Sequence, residues 1–232
     1  MSGFLARIIG YLMKFIYDLV NNYGISIILL TLFVRLCLLP LYHRQNKYTA
    51  AMADLQPRIK DIQTRYANDR NTMNEKMNEL YAEAGVSPMA GCLPMVVQLP
   101  IILGLFALLR NPLTYIQGSE MVSAVHEAFL WVPDLSQPDN WLLPLLAGIT
   151  TYFSSAQATS SDATGAMNGM KYFFPIMIFL MGRTFPSGLA LYWAVGNLFT
   201  MLQTFYFNRQ KKKRDREKEI NDEVNKRLNR KR

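Results

Sequence analysis

The chain has 232 residues, a net charge of +8 and a hydrophobic fraction of 50%. This composition excludes a disordered chain, a collagen and a small disulfide-stabilised scaffold, because apolar side chains are plentiful and only two cysteines occur. The charges are segregated: residues 43–90 and 208–232 hold 30 of the 42 charged side chains and leave 12 for the other 159 residues. A soluble globule cannot cover itself with so few charges, so the pattern predicts an all-α, polytopic membrane protein with two charged appendages.

Residues 1–24 predict an amphipathic helix that lies in the membrane interface. Apolar residues recur from Phe4 to Leu19 at steps of one, three and four and define one broad helical face. No small-residue cleavage site follows, which disfavours a cleaved signal peptide. An uncleaved first membrane span is the alternative for this segment.

Five apolar segments are predicted to form a transmembrane core. The stretch 172–207 is too long for one span at ~1.5 Å per residue, and Phe185-Pro186-Ser187-Gly188 divides it. Apolar residues at helical spacing within 43–90 predict two amphipathic helices in a hairpin. In chain order we expect an interfacial helix at 1–24, a span at 25–42, a cytoplasmic helical hairpin at 43–90, a span at 91–110, an extracytoplasmic loop at 111–140, a span at 141–157, a cytoplasmic loop at 158–171, spans at 172–184 and 187–207, and a basic cytoplasmic tail at 208–232.

The distribution of basic residues orients these spans. The hairpin and the tail hold 19 of the 25 Lys and Arg residues, whereas the 111–140 loop holds none. The N-terminus is therefore expected outside the membrane, and the hairpin and the C-terminus are expected in the cytoplasm. Arg183 falls near the outer face, where it could snorkel to the headgroups.

Arg35 is the one charged residue of the predicted span 25–42 and lies near mid-depth. A charge at a helix centre costs about 2.5–3.5 kcal/mol on insertion scales, and no predicted span contains an acidic residue to pair with it. We therefore expect Arg35 to face a hydrated cavity. The alternative is that it snorkels to the cytoplasmic headgroups.

The other polar residues of the spans share the cytoplasmic half. Ser, Thr, Asn and Gln side chains in spans often hydrogen-bond to their own helix or join two helices. That role does not predict why they should all lie in the cytoplasmic half of the spans. A water-containing groove, open to the cytoplasm and closed toward the outside, does predict it. Such a groove differs from a channel, which needs polar lining throughout, and it suits an incoming polypeptide segment. The residues assigned to it besides Arg35 are Gln98, Thr150, Thr151, Ser154, Ser155 and Gln157, and the stripe Trp193, Asn197, Thr200 and Thr204.

The tail is a candidate site for a polyanion. It carries 12 basic and 5 acidic residues. Ribosomal RNA and anionic lipid are equally weighted alternatives for its partner. The basic residues singled out are Arg209, Lys211, Lys212, Lys213, Arg214 and Arg216.

The sequence contains no motif of a known catalytic or metal centre. Cys37 and Cys92 lie in apolar runs, and His43 and His126 fall on opposite sides of the membrane in the predicted topology. We therefore expect no enzyme activity, no cofactor, no metal and no small-molecule substrate.

Several motifs resemble those of the YidC/Oxa/Alb membrane protein insertase family, in particular its bacterial YidC members without the large extracytoplasmic domain. The resemblance covers roughly residues 20–207. It is carried by Thr31-Leu-Phe-Val-Arg35, Leu39-Pro-Leu41, Leu55-Gln56-Pro57, Gly91-Cys-Leu-Pro-Met-Val-Val-Gln-Leu-Pro100, Phe185-Pro-Ser-Gly-Leu-Ala-Leu-Tyr-Trp193 and Asn197-Leu-Phe-Thr200.

The resemblance implies a five-helix core, a cytoplasmic hairpin and a groove whose single arginine is Arg35. It further implies a location in the inner or plasma membrane of a bacterium. It also implies that Thr31 and Trp193 contact the nascent span. The expected function is therefore insertion and folding of nascent membrane proteins in the lipid bilayer, alone or with the Sec translocon, and with the ribosome as a further partner. A transporter or channel subunit that binds an anion at Arg35 is the alternative, but neither a polar path to the outside nor an inverted repeat is seen.

Overall fold

The computed structural model describes residues 2–87, 93–115, 119–158 and 166–229. These ranges form helices and no strand, so the prediction of an all-α fold is confirmed. The helices are α1 (Ser2–Val20), α2 (Tyr23–Cys37), α3 (Leu39–Arg65), α4 (Arg70–Glu83), α5 (Leu93–Arg110), α6 (Pro112–Tyr115), α7 (Ser119–Ala124), α8 (Leu142–Ala158), α9 (Ala166–Gly182) and α10 (Ser187–Asn229).

Helix α1 has two apolar faces and one charged edge. Its inner face packs against α5 and α2 through Ala6, Ile9, Met13 and Ile16, all buried. Its outward stripe exposes Phe4, Ile8, Tyr11, Phe15 and Leu19. On the third side Lys14 forms a 2.9 Å ion pair with Asp18, one turn further along the helix. A wide apolar arc with a narrow charged edge is typical of a helix at a membrane interface.

The predicted span 25–42 is bent in the structure. Helix α2 ends at Cys37 and α3 begins at Leu39, and the two axes differ by 57°. Pro40 lies in the first turn of α3, where a missing backbone N–H breaks no helical hydrogen bond. The hydropathy pattern does not predict this bend, because both sides of it are apolar, and Pro40 is the local signal for it.

Helices α3 and α4 pack together as a hairpin. The Asp69 carboxylate caps α4 by accepting from the backbone N–H groups of Asn71 and Thr72, each at 3.1 Å. The Thr72 side-chain hydroxyl donates to the same carboxylate at 2.6 Å. These bonds, that of the hydroxyl foremost, hold the pKa of Asp69 below its ordinary value.

Helix α10 joins the two halves of the bundle, because it packs on α2 on one side and on α8 on the other. Helix α8 also packs along α9. The predicted span 187–207 and the predicted tail belong to one continuous helix, and α9 is described from Ala166 to Gly182 instead of 172–184. The largest fully buried side chains of this core include Met13, Tyr23, Ile27, Leu105, Leu108 and Tyr192.

Acidic residues of the 111–140 segment lie at helix starts. Glu127 accepts the backbone N–H of Tyr23, the first residue of α2, at 2.8 Å. Asp139 accepts the backbone N–H of Leu143 in the first turn of α8 at 2.7 Å. Arg110 stands in the last turn of α5. Each of these charges therefore matches the polarity of the helix end beside it.

No single helix within the described residues is both long and apolar enough to cross a bilayer by itself. The bent pair α2–α3 reaches that length together, and Val96–Arg110 and Lys171–Gly182 are shorter apolar helices.

Many large apolar side chains nevertheless point outward from the bundle. Phe33 on α2, Phe173 on α9 and Leu202 on α10 are 50%, 66% and 71% exposed. Apolar surface of this extent marks contact with lipid or with other proteins.

Candidate functional site: a buried arginine between three helices

Arg35 is buried, with 7% of its surface exposed. The bend at Leu38 carries the start of α3 beneath it, so that Nη1 donates to the Tyr42 hydroxyl and the guanidinium stands 5.4 Å from the Tyr42 ring centroid. Its Nε finds no hydrogen-bond partner among the described residues. The guanidinium is thus held by one neutral partner and keeps a polar atom without one.

Gly196 on α10 provides the space for this arginine. A Cβ atom at position 196 would lie 2.5 Å from Arg35 Nη2 and 3.1 Å from Nε. Glycine at this position lets α10 approach the guanidinium without displacing it. Gly196 is absent from the residues predicted for the groove, although a glycine inside a helical pattern is a known sign of close approach.

A second pair of polar side chains lies beside the arginine. Gln98 on α5 donates through Nε2 to the Tyr192 hydroxyl at 2.7 Å. Tyr192 is 1% exposed and lies one turn before Gly196, close enough for the charge of Arg35 to act on its hydroxyl. We call Arg35, Tyr42, Gln98, Tyr192 and Gly196 the arginine cluster. It lies where α2, α5 and α10 meet, with α3 at its lower edge.

Gln203 extends the polar character of this side of α10. It follows Gly196 by seven residues, which places it on the same helical face about 10 Å further along. Its side chain is buried, and neither Nε2 nor Oε1 has a partner within the described part of the chain. Buried polar atoms without partners are costly in a dry interior. Three such atoms lie along this side of α10, namely Arg35 Nε and both polar atoms of the Gln203 side chain.

The predicted stripe on α10 begins on a neighbouring face. The Trp193 indole donates to Thr151 Oγ1 on α8 at 2.9 Å, and the Asn197 side-chain amide meets the same hydroxyl at 2.8 Å. Thr151, 3% exposed, donates in turn to the backbone carbonyl of Ala147 at 2.6 Å. One threonine thus ties two of the predicted residues to α8.

The remaining predicted residues are arranged separately. Thr31 is fully buried and donates to the Ile27 carbonyl of its own helix, and Thr200 donates to the Gly196 carbonyl. Ser154 is half-buried on α8, three residues after Thr151. The structure brings Arg35, Gln98 and Tyr192 together and places Trp193 and Asn197 against α8. That all of them line one groove stays a prediction.

The basic tail runs beside the hairpin. The rings of His43 on α3 and Phe207 on α10 are 4.9 Å apart, and Lys211 Nζ lies 3.6 Å from Asp54 Oδ1. Arg209 stacks over the Phe205 ring at 4.5 Å. The other basic residues singled out, Lys212, Lys213, Arg214 and Arg216, are exposed.

Comparison with known proteins gives consistent matches. The sequence model of the family described as 60Kd inner membrane protein matches residues 15–215. A protein of Alkalihalophilus pseudofirmus named membrane protein insertase YidC is 41% identical, over 82% of this chain and 74% of that protein. One of Listeria innocua, named membrane protein insertase YidC 2, is 38% identical over 85% of this chain and 68% of that protein.

A further relative and a solved structure resemble the chain over most of its length. Membrane protein insertase YidC of Fusobacterium nucleatum is 37% identical, over 87% of this chain and 94% of that protein. The solved structure, described as an active YidC insertase with the first transmembrane domain resolved, has a TM-score of 0.69 and 32% identity. It matches 86% of this chain, which spans 45% of the solved chain.

Proposed function

The chain belongs to the 60Kd inner membrane protein family, and we propose on this basis that it inserts nascent membrane proteins into the bilayer through a hydrated groove beside Arg35. The observation that carries the proposal is the arginine cluster. A buried guanidinium with a partnerless Nε stands on the same face of α10 as the partnerless Gln203 amide. Water along this face would satisfy these atoms and would hydrate an incoming polar segment.

The proposed mechanism needs no chemical step. Arg35 and the surrounding water lower the cost of bringing a short polar or acidic segment of the substrate to mid-depth. Burial of the substrate's apolar helix in lipid then drives insertion, because ~20 apolar residues supply several kcal/mol. Tyr42 and Gly196 position the guanidinium, whereas Thr151 fixes Trp193 and Asn197 at the neighbouring α8 contact.

Anion transport at Arg35 is the second candidate, and the names of the relatives favour insertion over it. A transport function requires solute flux through proteoliposomes that depends on Arg35. We expect no such flux.

We further propose that the N-terminus lies outside and that the hairpin and the tail lie in the cytoplasm. The distribution of basic residues supports this orientation, because they concentrate in the hairpin and the tail. The acidic residues of the 111–140 segment do not bear on it, since Glu127 and Asp139 cap α2 and α8.

The test of the groove compares arginines at two depths. Purified wild type, Arg35→Ala, Arg35→Glu and Arg183→Ala are reconstituted in liposomes, and insertion of an acidic-tailed substrate is measured by protease protection. Arg183 is the matched control, because it is exposed and stacks over the Trp141 ring at 4.6 Å, away from the cluster. Both Arg35 variants should insert slowly, Arg35→Glu most slowly, and Arg183→Ala should insert at the normal rate. Wild-type rates for both Arg35 variants would refute the role of Arg35.

The ribosome is the proposed partner of the tail, and the Sec translocon is a further proposed partner of the chain. Support for ribosomal RNA comes from the exposed basic residues that follow Lys211 on α10. Deletion of residues 209–232 should weaken co-sedimentation with ribosomes, and the difference should shrink as salt is raised. Binding that is unchanged by the deletion would leave anionic lipid as the partner of the tail.

A further inference from the structure

A tight turn projects two large apolar side chains from the 111–140 segment. Phe129 and Val132 exchange backbone hydrogen bonds of 2.8 and 3.0 Å and enclose a two-residue loop, Leu130 and Trp131. Its base is firmly packed, because Val132 is buried and Leu135, also buried, donates its backbone N–H to the Glu127 carbonyl at 3.3 Å. The two loop residues are instead 73% and 45% exposed. We call Leu130 and Trp131 the turn tip.

The backbone of the turn tip is unfavourable for the residue it carries. Leu130 has a φ of +55°, in the left-handed region that glycine occupies at no steric cost. Two-residue hairpin loops with positive φ at their first position normally place glycine or asparagine there. Leu130 therefore departs from the usual residue choice at this position while its side chain stays in the open.

The neighbours of the turn tip show which surface it continues. The Phe129 ring lies directly against Gly24 at the start of α2, where an added Cβ would come within 2.2 Å of it. The α1–α2 junction is also where the outward apolar stripe of α1 ends, at Leu19, 71% exposed. The Trp131 indole donates to Asp139 at the start of α8 at 3.3 Å. The turn tip therefore lies near the start of α2, where the α1 stripe ends, and near the start of α8.

We propose that Leu130 and Trp131 insert into the interface of the lipid bilayer and form one membrane anchor with the outward stripe of α1. Lipid fits this surface, because the leucine supplies an apolar group, and tryptophan, with an apolar ring and a bonded N–H, concentrates at membrane interfaces. The anchor would hold Phe129 and Glu127 against the outer end of α2, the helix that carries Arg35 toward its other end. The inference rests on the membrane placement proposed above.

The test uses the three tryptophans of the full chain. A variant that keeps only Trp131 (Trp141→Phe, Trp193→Phe) is reconstituted in phosphatidylcholine vesicles with increasing fractions of lipid brominated near the top of the acyl chains. We expect progressive quenching of Trp131 fluorescence and weak quenching by aqueous iodide. A variant that keeps only Trp193 is the comparison, because this indole is hydrogen-bonded to Thr151 and its fluorescence reports a tryptophan within the bundle. Flotation after carbonate extraction measures membrane integration separately.

Leu130→Gly separates the anchor from the turn. Glycine suits the backbone, so the turn should persist, while bromolipid quenching of Trp131 should fall. Strong iodide quenching without bromolipid quenching, in protein that resists carbonate extraction, would overturn the anchor and leave the insertase proposal intact. Bromolipid quenching of Leu130→Gly at the wild-type level, with quenching lost only when the turn itself unfolds, would overturn the role of Leu130. Protein extracted by carbonate would overturn both proposals.

Discussion

Replacement of Gly196 by alanine tests whether the approach of α10 positions the arginine. The new Cβ would lie 2.5 Å from Arg35 Nη2, whereas carbon contacts are favourable near 3.5 Å. The guanidinium must therefore move by roughly 1 Å. That movement is sterically easy for the end of a long side chain, but it pulls Nη1 away from the Tyr42 hydroxyl.

The expected cost follows from two opposing effects. Loss of a hydrogen bond to a charged group costs about 1.5–3 kcal/mol, and alanine stabilises a helix interior by about 0.5–1 kcal/mol relative to glycine. We expect Gly196→Ala to lower the free energy of unfolding by about 0.5–2.5 kcal/mol and to slow insertion of acidic-tailed substrates. The measurements are detergent-induced unfolding followed by circular dichroism and the liposome insertion assay.

Two controls isolate the arginine. A Cβ added to Gly169 on α9 would meet no atom of the described residues within 4 Å, so Gly169→Ala should be neutral or stabilising and should insert normally. In an Arg35→Ala background the guanidinium is gone, so Gly196→Ala should become stabilising. An equal destabilisation by Gly196→Ala with and without Arg35 would refute the reasoning.

Three further predictions concern separate parts of the fold. Thr151→Val removes the hydroxyl that meets Trp193 and Asn197 and should cost about 1–3 kcal/mol in detergent unfolding; a loss no larger than that of Thr200→Val would contradict the shared role. Gly24→Ala places a Cβ within 2.2 Å of the Phe129 ring and should expose the outer turn to limited proteolysis, whereas an unchanged cleavage pattern would show that the ring relocates freely. Partial burial alone would raise the pKa of Asp134, but bonds from His126 and Ser136 outweigh it and lower the pKa. The Asp134 carboxylate should therefore stabilise the fold fully above its unfolded-state pKa, and this stabilisation should disappear as pH falls through its folded-state pKa. The unfolding curves of wild type and Asp134→Asn should converge in acid. A difference in unfolding free energy that stays constant with pH would exclude the carboxylate as its cause.

Much of the architecture follows from residue patterns, because long apolar helices are strong local signals. Helix α9 ends at Gly182 and α10 begins at Ser187, so Phe185 and Pro186 of the predicted break lie between them. Helix α3 ends at Arg65 and α4 begins at Arg70, next to the predicted interruption at residues 68–71. Hydropathy does not change at the bend at Leu38, so the apolar pattern does not predict it; Pro40 is the signal in the sequence that could have located it. The sequence also does not predict that the span 187–207 and the tail form one helix. The composition changes from apolar to basic at residue 208, but this change does not interrupt the helical backbone.

The sequence predicts the buried arginine, because a charge inside a span is costly. It does not predict the side chains that contact the arginine, because they come from distant parts of the chain. Arg35 stands out in the sequence because its span holds no other charge. Its neighbours depend on tertiary packing: Tyr42 reaches it through the bend, and Gly196 lies 161 positions further along the chain. Periodicity indicates which face of a helix is polar but not which helix meets that face, so it could not assign Trp193 to Thr151.

The uninterrupted course of α10 has a mechanical consequence. One rod of 43 residues carries Gly196 against Arg35, Trp193 against α8, Lys211 beside the hairpin and the exposed basic residues beyond it. About 26 Å of helix separate Gly196 from Lys213, with no loop between them to absorb strain. A load applied to the basic end of α10 is therefore transmitted as leverage to the contact between Gly196 and Arg35 and to the contact between Trp193 and α8.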